Sequence, residues 1–172
     1  ENSDQSTARI SIVLPTFNER GNIEPLLQQL LHLESHDQLE ILVVDDDSTD
    51  GTAELIRQLC RNEPCLHLIR RVDRSGLASA IKEGLLNISG NIAVVMDSDG
   101  QHEPASVQQA INTLLQEDLD LVIGSRFHPD AQIHGLSKRR ERGSTWANAA
   151  ARMSLPKRYQ SLTDYMSGFF AI

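Results

Sequence analysis

The stretch IAVVMDSDGQHEP, Ile92 to Pro104, decides how this chain is read. An unbroken apolar run, Ile92 to Met96, ends in two aspartates one residue apart and then in a turn. A short run rich in Val and Ile, without alternation, predicts a strand buried on both faces of a parallel sheet. Alternation at the strand end puts Asp97 and Asp99 on the same side, and Gln101 continues that side as a neutral oxygen donor. The pattern occurs twice more upstream, in IVLPTFNE (Ile12 to Glu19) and EILVVDDDSTDG (Glu40 to Gly51). Ligands of open parallel sheets bind outside the carboxyl ends of the strands, so Glu19, Asp45, Asp46, Asp97 and Asp99 are expected around one crevice. So many carboxylates call for a hard cation. Mg²⁺ or Mn²⁺ held by few protein oxygens keeps positions open for substrate phosphates.

Working outward, strands are predicted at Ile10 to Phe17, Leu39 to Asp45, Leu66 to Arg71, Asn91 to Met96 and Leu119 to Gly124. Helices fit between them, at Ile23 to Leu33, after a cap at Thr49 or Asp50 up to Pro64, at Leu77 to Leu86, and from Pro104 to Leu115. Strict alternation of the two predicts an α/β fold, a mostly parallel Rossmann-like sheet with helices on both faces. The final apolar run SGFFAI, Ser167 to Ile172, reads as one more strand. Between Arg126 and that run lies a polar, basic stretch, HPDAQIHGLSKRRER, expected to be a mobile loop. A helix should follow from about Arg140 to Met153, with Arg140, Ser144 and Asn148 on one face.

Composition bounds the functional classes. With 172 residues, 40% of them hydrophobic, the chain is one domain large enough to bury a core. A formal net charge of -8 argues against a nucleic-acid partner and leaves an anionic substrate dependent on local cations. Cys60 and Cys65, without a His partner at zinc spacing, read as reduced thiols. Neither a GxGxxG dinucleotide turn nor a GK[ST] phosphate loop is present, so nicotinamide and P-loop chemistry are unsupported. No apolar run approaches membrane-spanning length. The polar stretch over residues 1–9 is expected to be a disordered tail, ahead of one catalytic domain over residues 10–172.

Each acid motif has its own chemistry. Asp45 and Asp46 close a buried strand, where a carboxylate accepts a hydrogen bond from a base N–H or a ribose hydroxyl. Asp47 and Asp50 read as turn and cap residues. Pro15 fixes an extended exit from the first strand, Phe17 offers a ring for stacking on a base, and Glu19 adds an acceptor. Gly76, Ala80 and Gly84 recur at helical spacing, which allows a helix to approach its neighbour or a ligand closely. Arg126 stands at the carboxyl end of a strand, and Arg140 with Ser144 can clamp phosphate oxygens.

Taken in order, LPTFNE, VVDDDSTDGT, RSGLASAIKEG, MDSDGQHEP, GSR, the Arg140–Ser144–Asn148 face and TDYMSGFF resemble the dolichol-phosphate mannose synthase-like branch of the family 2 glycosyltransferases. That branch includes bacterial polyprenyl-phosphate glycosyltransferases. The resemblance covers Ile10 to Ile172 and implies a GT-A fold and inverting transfer of a hexose. The donor would be a nucleotide-diphosphate sugar, of UDP-glucose or GDP-mannose type, and the acceptor a polyprenyl phosphate, undecaprenyl or dolichyl. A saccharide acceptor, or a non-catalytic nucleotide-binding module, is the alternative. By resemblance, Pro15, Phe17, Glu19, Val44, Asp45, Asp46, Asp97 and Arg126 hold the donor, while Asp97, Asp99 and Gln101 hold the metal. Arg126, Arg140 and Ser144 bind phosphates of donor or acceptor, and Asp164 joins Asp99 as a catalytic candidate. The same likeness implies membrane-associated segments beyond this chain, a place at the cytoplasmic face of a membrane, and a possible homo-oligomer. Three positions depart from the branch: Phe17 stands where many relatives have Tyr, Asp47 where Gly or Asn is common, and Phe170 where Arg is common.

A response-regulator receiver also gathers acids around Mg²⁺, but its paired acids follow the first strand rather than the second. A sugar-nucleotide pyrophosphorylase expects a Gly-rich, Arg-containing loop after the first strand, where this chain has only Gly21.

Overall fold

The computed structural model describes residues 8–33, 38–100, 104–125 and 167–172. Its elements are β1 (Ile10–Thr16), α1 (Arg20–Leu30), β2 (Leu39–Asp45), α2 (Thr52–Leu59), β3 (Leu66–Arg70), α3 (Leu77–Leu86), β4 (Ile92–Val95), α4 (Pro104–Gln116), β5 (Val122–Ile123) and β6 (Phe170–Ala171). They form a six-stranded sheet in the order β3-β2-β1-β4-β6-β5. Strands β1 to β4 run parallel, whereas β6 runs antiparallel between β4 and β5. The expected α/β architecture with a mostly parallel sheet is what the chain adopts.

Alternation along β1 explains the two cores. Ile10, Ile12 and Leu14 face a large cluster with Ile23 and Leu27 of α1, Ile56 of α2 and Ile111 of α4. Val13, between them, faces the opposite side with Leu42, Val44, Val95 and Ala80 of α3. Helices therefore cover both faces, which is why β1, β2 and β4 are buried along their whole length and carry near-continuous apolar runs rather than alternating.

The close approach of α3 has a definite cause. A Cβ at Gly84 would collide with Val13 Cγ1 and lie 3.2 Å from Val44 Cγ2, so only glycine lets the helix sit this near the sheet. Ala80, one turn earlier, is buried for the same reason.

Several bounds differ from expectation. Helix α1 begins at Arg20 rather than Ile23, because the Glu19 carbonyl accepts the Asn22 and Ile23 N–H groups at 2.9 Å each and starts the helix earlier. Strand β5 keeps only two residues of the expected Leu119 to Gly124. Arg9, expected in the disordered tail, is fixed: its N–H donates to Asn91 Oδ1 at 2.7 Å and its carbonyl accepts the Asn91 N–H at 2.9 Å. The expected loop over residues 128–142 and the helix from Arg140 to Met153 lie outside the described residues.

Candidate functional site

Two loops, after β1 and after β2, build the floor of the crevice and are laced together. The Asn18 N–H donates to Ser48 Oγ at 2.8 Å, and the Asn18 side-chain oxygen accepts the Thr49 N–H at 2.9 Å. The Glu19 N–H reaches Thr52 Oγ1 at 3.1 Å, and Arg20 spans both ends, its N–H to Asp50 Oδ2 and its guanidinium to the Gly51 carbonyl. Asp50 also accepts the Thr52 N–H at 3.0 Å. The N-cap of α2 is Gly51, so Asp50 closes an Asx turn just ahead of the helix rather than capping it, and hydrogen bonding to Thr52 outweighs the smaller effect of burial to hold its carboxyl below the usual range.

A cleft of about 250 Å³ opens above this floor, at the carboxyl ends of β1, β2 and β4. Pro15, Thr16, Phe17, Glu19, Asp46, Leu77, Ala80, Asp97, Ser98 and Asp99 line it. Of the residues read from sequence, Pro15, Phe17, Glu19, Asp46, Asp97 and Asp99 thus meet in one place. The geometry of the Asp97–Asp99 pair follows from Ser98, which is buried and donates its hydroxyl to the Pro15 carbonyl at 3.0 Å. Turning Ser98 inward leaves its two neighbours facing the cleft. Phe17 and Leu77 stand at the mouth with 57% and 55% of their surface exposed, two apolar groups on a rim whose interior is acidic.

Val44 and Asp45 differ from expectation, since neither side chain lines the cleft. Val44 is fully buried in the α3-side core. Asp45 is also fully buried, and both its oxygens are engaged by Ser48, one by the N–H at 3.0 Å and the other by the hydroxyl. Asp46, the next residue, is the one whose side chain lines the cleft.

Asp46 is itself held by a network that sequence reasoning missed. Its Oδ2 accepts the Gly76 N–H at 2.8 Å, and its Oδ1 lies 2.8 Å from Arg71 Nη1. Arg71 is the centre: its side chain is only 2% exposed, its Nη2 donates to Ser79 Oγ at 2.6 Å, and its Nε lies 3.2 Å from Glu83 Oε2. Neither Asp46 Oδ1 nor Arg71 Nε makes an aligned hydrogen bond, so these contacts are charge pairings in a dry setting. The signal was available: Arg71 follows a strand that pairs with one ending in acids, the same position that singled out Arg126.

Gln101, Arg126, Arg140, Ser144 and Asp164 lie outside the described residues. Among the described residues, no three His, Cys, Asp or Glu side chains converge as a metal cluster. Two aspartates facing one cleft fit a cation that takes few protein oxygens and completes its shell with substrate.

Residues 11–172 match the sequence profile of Glycosyl transferase family 2. The chain belongs to that family. Its sheet and helices are those of the GT-A glycosyltransferases. Among curated members, the dolichol-phosphate mannosyltransferase of Pyrococcus furiosus is 36% identical over 95% of this chain and 46% of its own length. The polyprenol monophosphomannose synthase of Mycolicibacterium smegmatis is 35% identical over 87% of this chain and 57% of its own. The chain therefore spans about half the length of these family 2 relatives. A mannosyltransferase from Pyrobaculum calidifontis, solved in complex with GDP-Man and Mn²⁺, superimposes with a TM-score of 0.60 at 30% identity over 69% of this chain and 35% of that one. Glucosyl-3-phosphoglycerate synthase from Mycobacterium tuberculosis reaches 0.70 at 24% identity over 96% of this chain and 56% of that one, a likeness of fold alone. No helix among the described residues is long and apolar enough to cross a membrane.

Proposed function

We propose that this domain transfers mannose from GDP-mannose to a polyprenyl phosphate. The observation that carries the reading is the convergence of Asp97 and Asp99 on one cleft with Asp46, Glu19 and the Phe17 ring. Relatives named as dolichol-phosphate and polyprenol mannosyltransferases, at 35 to 36% identity, support mannose and the lipid phosphate over other donors and acceptors.

In this reading the guanine enters between Phe17 and Leu77, its N–H groups facing Asp46. Each carboxylate oxygen has two lone-pair directions, so Asp46 keeps acceptor capacity beyond Gly76 and Arg71. Asp97 and Asp99, with Gln101, hold a Mg²⁺ or Mn²⁺ ion on the diphosphate. When bound, that ion neutralises charge on the departing diphosphate. Arg126, Arg140 and Ser144 supply the remaining counter-charge to donor or acceptor. The lipid phosphate is an anion at neutral pH, so it attacks the anomeric carbon without a strong base. The bond from that carbon to the GDP oxygen breaks as the new one forms on the opposite face, inverting the centre. Asp164 acts on the acceptor side, stabilising positive charge on the sugar in the transition state. The acceptor places the working enzyme at a membrane surface, on the cytoplasmic face, through segments outside this chain.

Calorimetric titration with GDP-mannose, UDP-glucose and free GDP, each with and without Mn²⁺, tests the donor assignment. GDP-mannose is expected to bind at least tenfold tighter than UDP-glucose, and only in the presence of the cation. Equal affinity for the two donors, or tighter binding of UDP-glucose, would overturn it.

A further inference from the structure

We infer that Gly168 is a positioning residue for the Asp97 carboxylate. The missing side chain at Gly168 is what lets the first acid of the Asp97–Asp99 pair take its place. This rests on the reading of Asp97 as a cation holder.

A Cβ built at Gly168 would lie 2.5 Å from Asp97 Cγ and 2.6 Å from its Oδ1, and closer still to Oδ2. The backbone at Gly168 is outside the left-handed region, unlike Gly51, Gly76 and Gly100, so contact and not conformation demands glycine here. Of the two partners, it is the Asp97 carboxylate that must give way. Asp97 is a short side chain rooted immediately after β4, and only rotation about its two side-chain bonds could clear the methyl. Gly168 is clamped from both sides. The Ser167 hydroxyl accepts the Phe169 N–H at 3.1 Å and donates to the Phe169 carbonyl at 3.2 Å, closing a tight turn around it. Phe169 is buried in the main core, its carbonyl accepts the Gly124 N–H at 3.0 Å, and the next residue pairs with Val95 in the sheet. Two segments far apart in sequence thus meet at one van der Waals contact, and a methyl there would turn the carboxylate out of its cleft-facing orientation.

Mn²⁺ binding in the presence of GDP, followed by the loss of the free-ion paramagnetic resonance signal, tests this. Gly168→Ala is expected to raise the Mn²⁺ dissociation constant at least tenfold, as is Asp97→Asn. Gly124→Ala loads the same turn from the other side, its methyl meeting the Phe169 ring at 2.5 Å. It should lower the melting temperature with Mn²⁺ affinity kept within twofold, which separates positioning from stability. A third variant works without metal: adding Gly168→Ala to Asp97→Ala should cost no melting temperature, since the clashing carboxylate is gone. If Gly168→Ala binds Mn²⁺ within twofold of the unmodified protein while Asp97→Asn does not, the inference fails and the cation reading stands. If Asp97→Asn binds Mn²⁺ normally, the cation reading itself fails. If Gly168→Ala does not fold and Asp97→Ala with Gly168→Ala does not fold either, the contact with Asp97 is not what excludes a side chain, and the inference is likewise overturned.

Discussion

Arg71 and Asp46 show how a single buried pair can set a ligand wall. Removing the guanidinium leaves Asp46 and Glu83, whose side chains are 10% and 25% exposed, without their cation, and leaving partly buried acids unpaired costs about 1 to 3 kcal/mol. Arg71→Met should therefore lower stability in chemical denaturation by that order. Arg71→Lys should rescue little, because one ammonium cannot span Asp46, Ser79 and Glu83 together. A loss under 1 kcal/mol for Arg71→Met would show that Asp46 is positioned by Gly76 alone. Asp47 accounts for one departure from the resembling sequences. Its φ is +60°, a left-handed conformation that Gly and Asn adopt more readily, and its carboxylate is spent instead on Arg70 at 2.7 Å. At this scale the acids of the cleft were legible in the sequence because strand alternation dictates which of them face out. Asp45 and Val44 turn their side chains away from the cleft, into Ser48 and the core, because one residue of register separates a core side chain from a cleft side chain. Arg71 was passed over because its partners, Ser79, Glu83 and Asp46, are brought to it only by the packing of α3 beside β2.

The elements carry two further expectations. Helix α3 depends on Gly84, and Gly84→Ala should destabilise the protein by about 1 to 3 kcal/mol, since the methyl must displace Val13 in a packed core. A change within 0.5 kcal/mol in denaturant unfolding would mean the helix can slide away from β1. At the opposite end of the sheet, Glu40 of β2 ties in the turn before β4. Burial raises its carboxyl, but hydrogen bonds from Ser11, the Ser89 N–H and the Ser89 hydroxyl, with His67 nearby, outweigh it and leave the group below the ordinary carboxylate range. A lowered folded-state pKa contributes stability above the unfolded value of 4.5, and that stability is lost as pH falls through the folded value. Glu40→Gln should flatten the acid limb of a melting-temperature profile below about pH 4.5, and an unchanged limb would contradict it. Helix α3 matched its expected bounds because its glycine start and apolar spacing are local signals. Strand β5 did not, because a two-residue strand owes its existence to its neighbour rather than to its own sequence.

Across the whole molecule, the alternation of strands and helices made the α/β class readable, since buried parallel strands have a distinctive apolar composition. The antiparallel insertion of β6 between β4 and β5 was not readable. It is a two-residue pairing made over long sequence distance, and it brings Gly168 against Asp97, just after β4. The most direct measurement is transfer of labelled mannose from GDP-mannose to a polyprenyl phosphate in detergent, with Mn²⁺ or Mg²⁺ and with EDTA, for the unmodified protein and for Asp97→Asn with Asp99→Asn. The account predicts lipid-linked mannose from the unmodified protein with the cation, and at least a hundredfold less with EDTA or with both acids changed. Undiminished transfer in EDTA or by the double variant, or no lipid-linked mannose under any of these conditions, would contradict it.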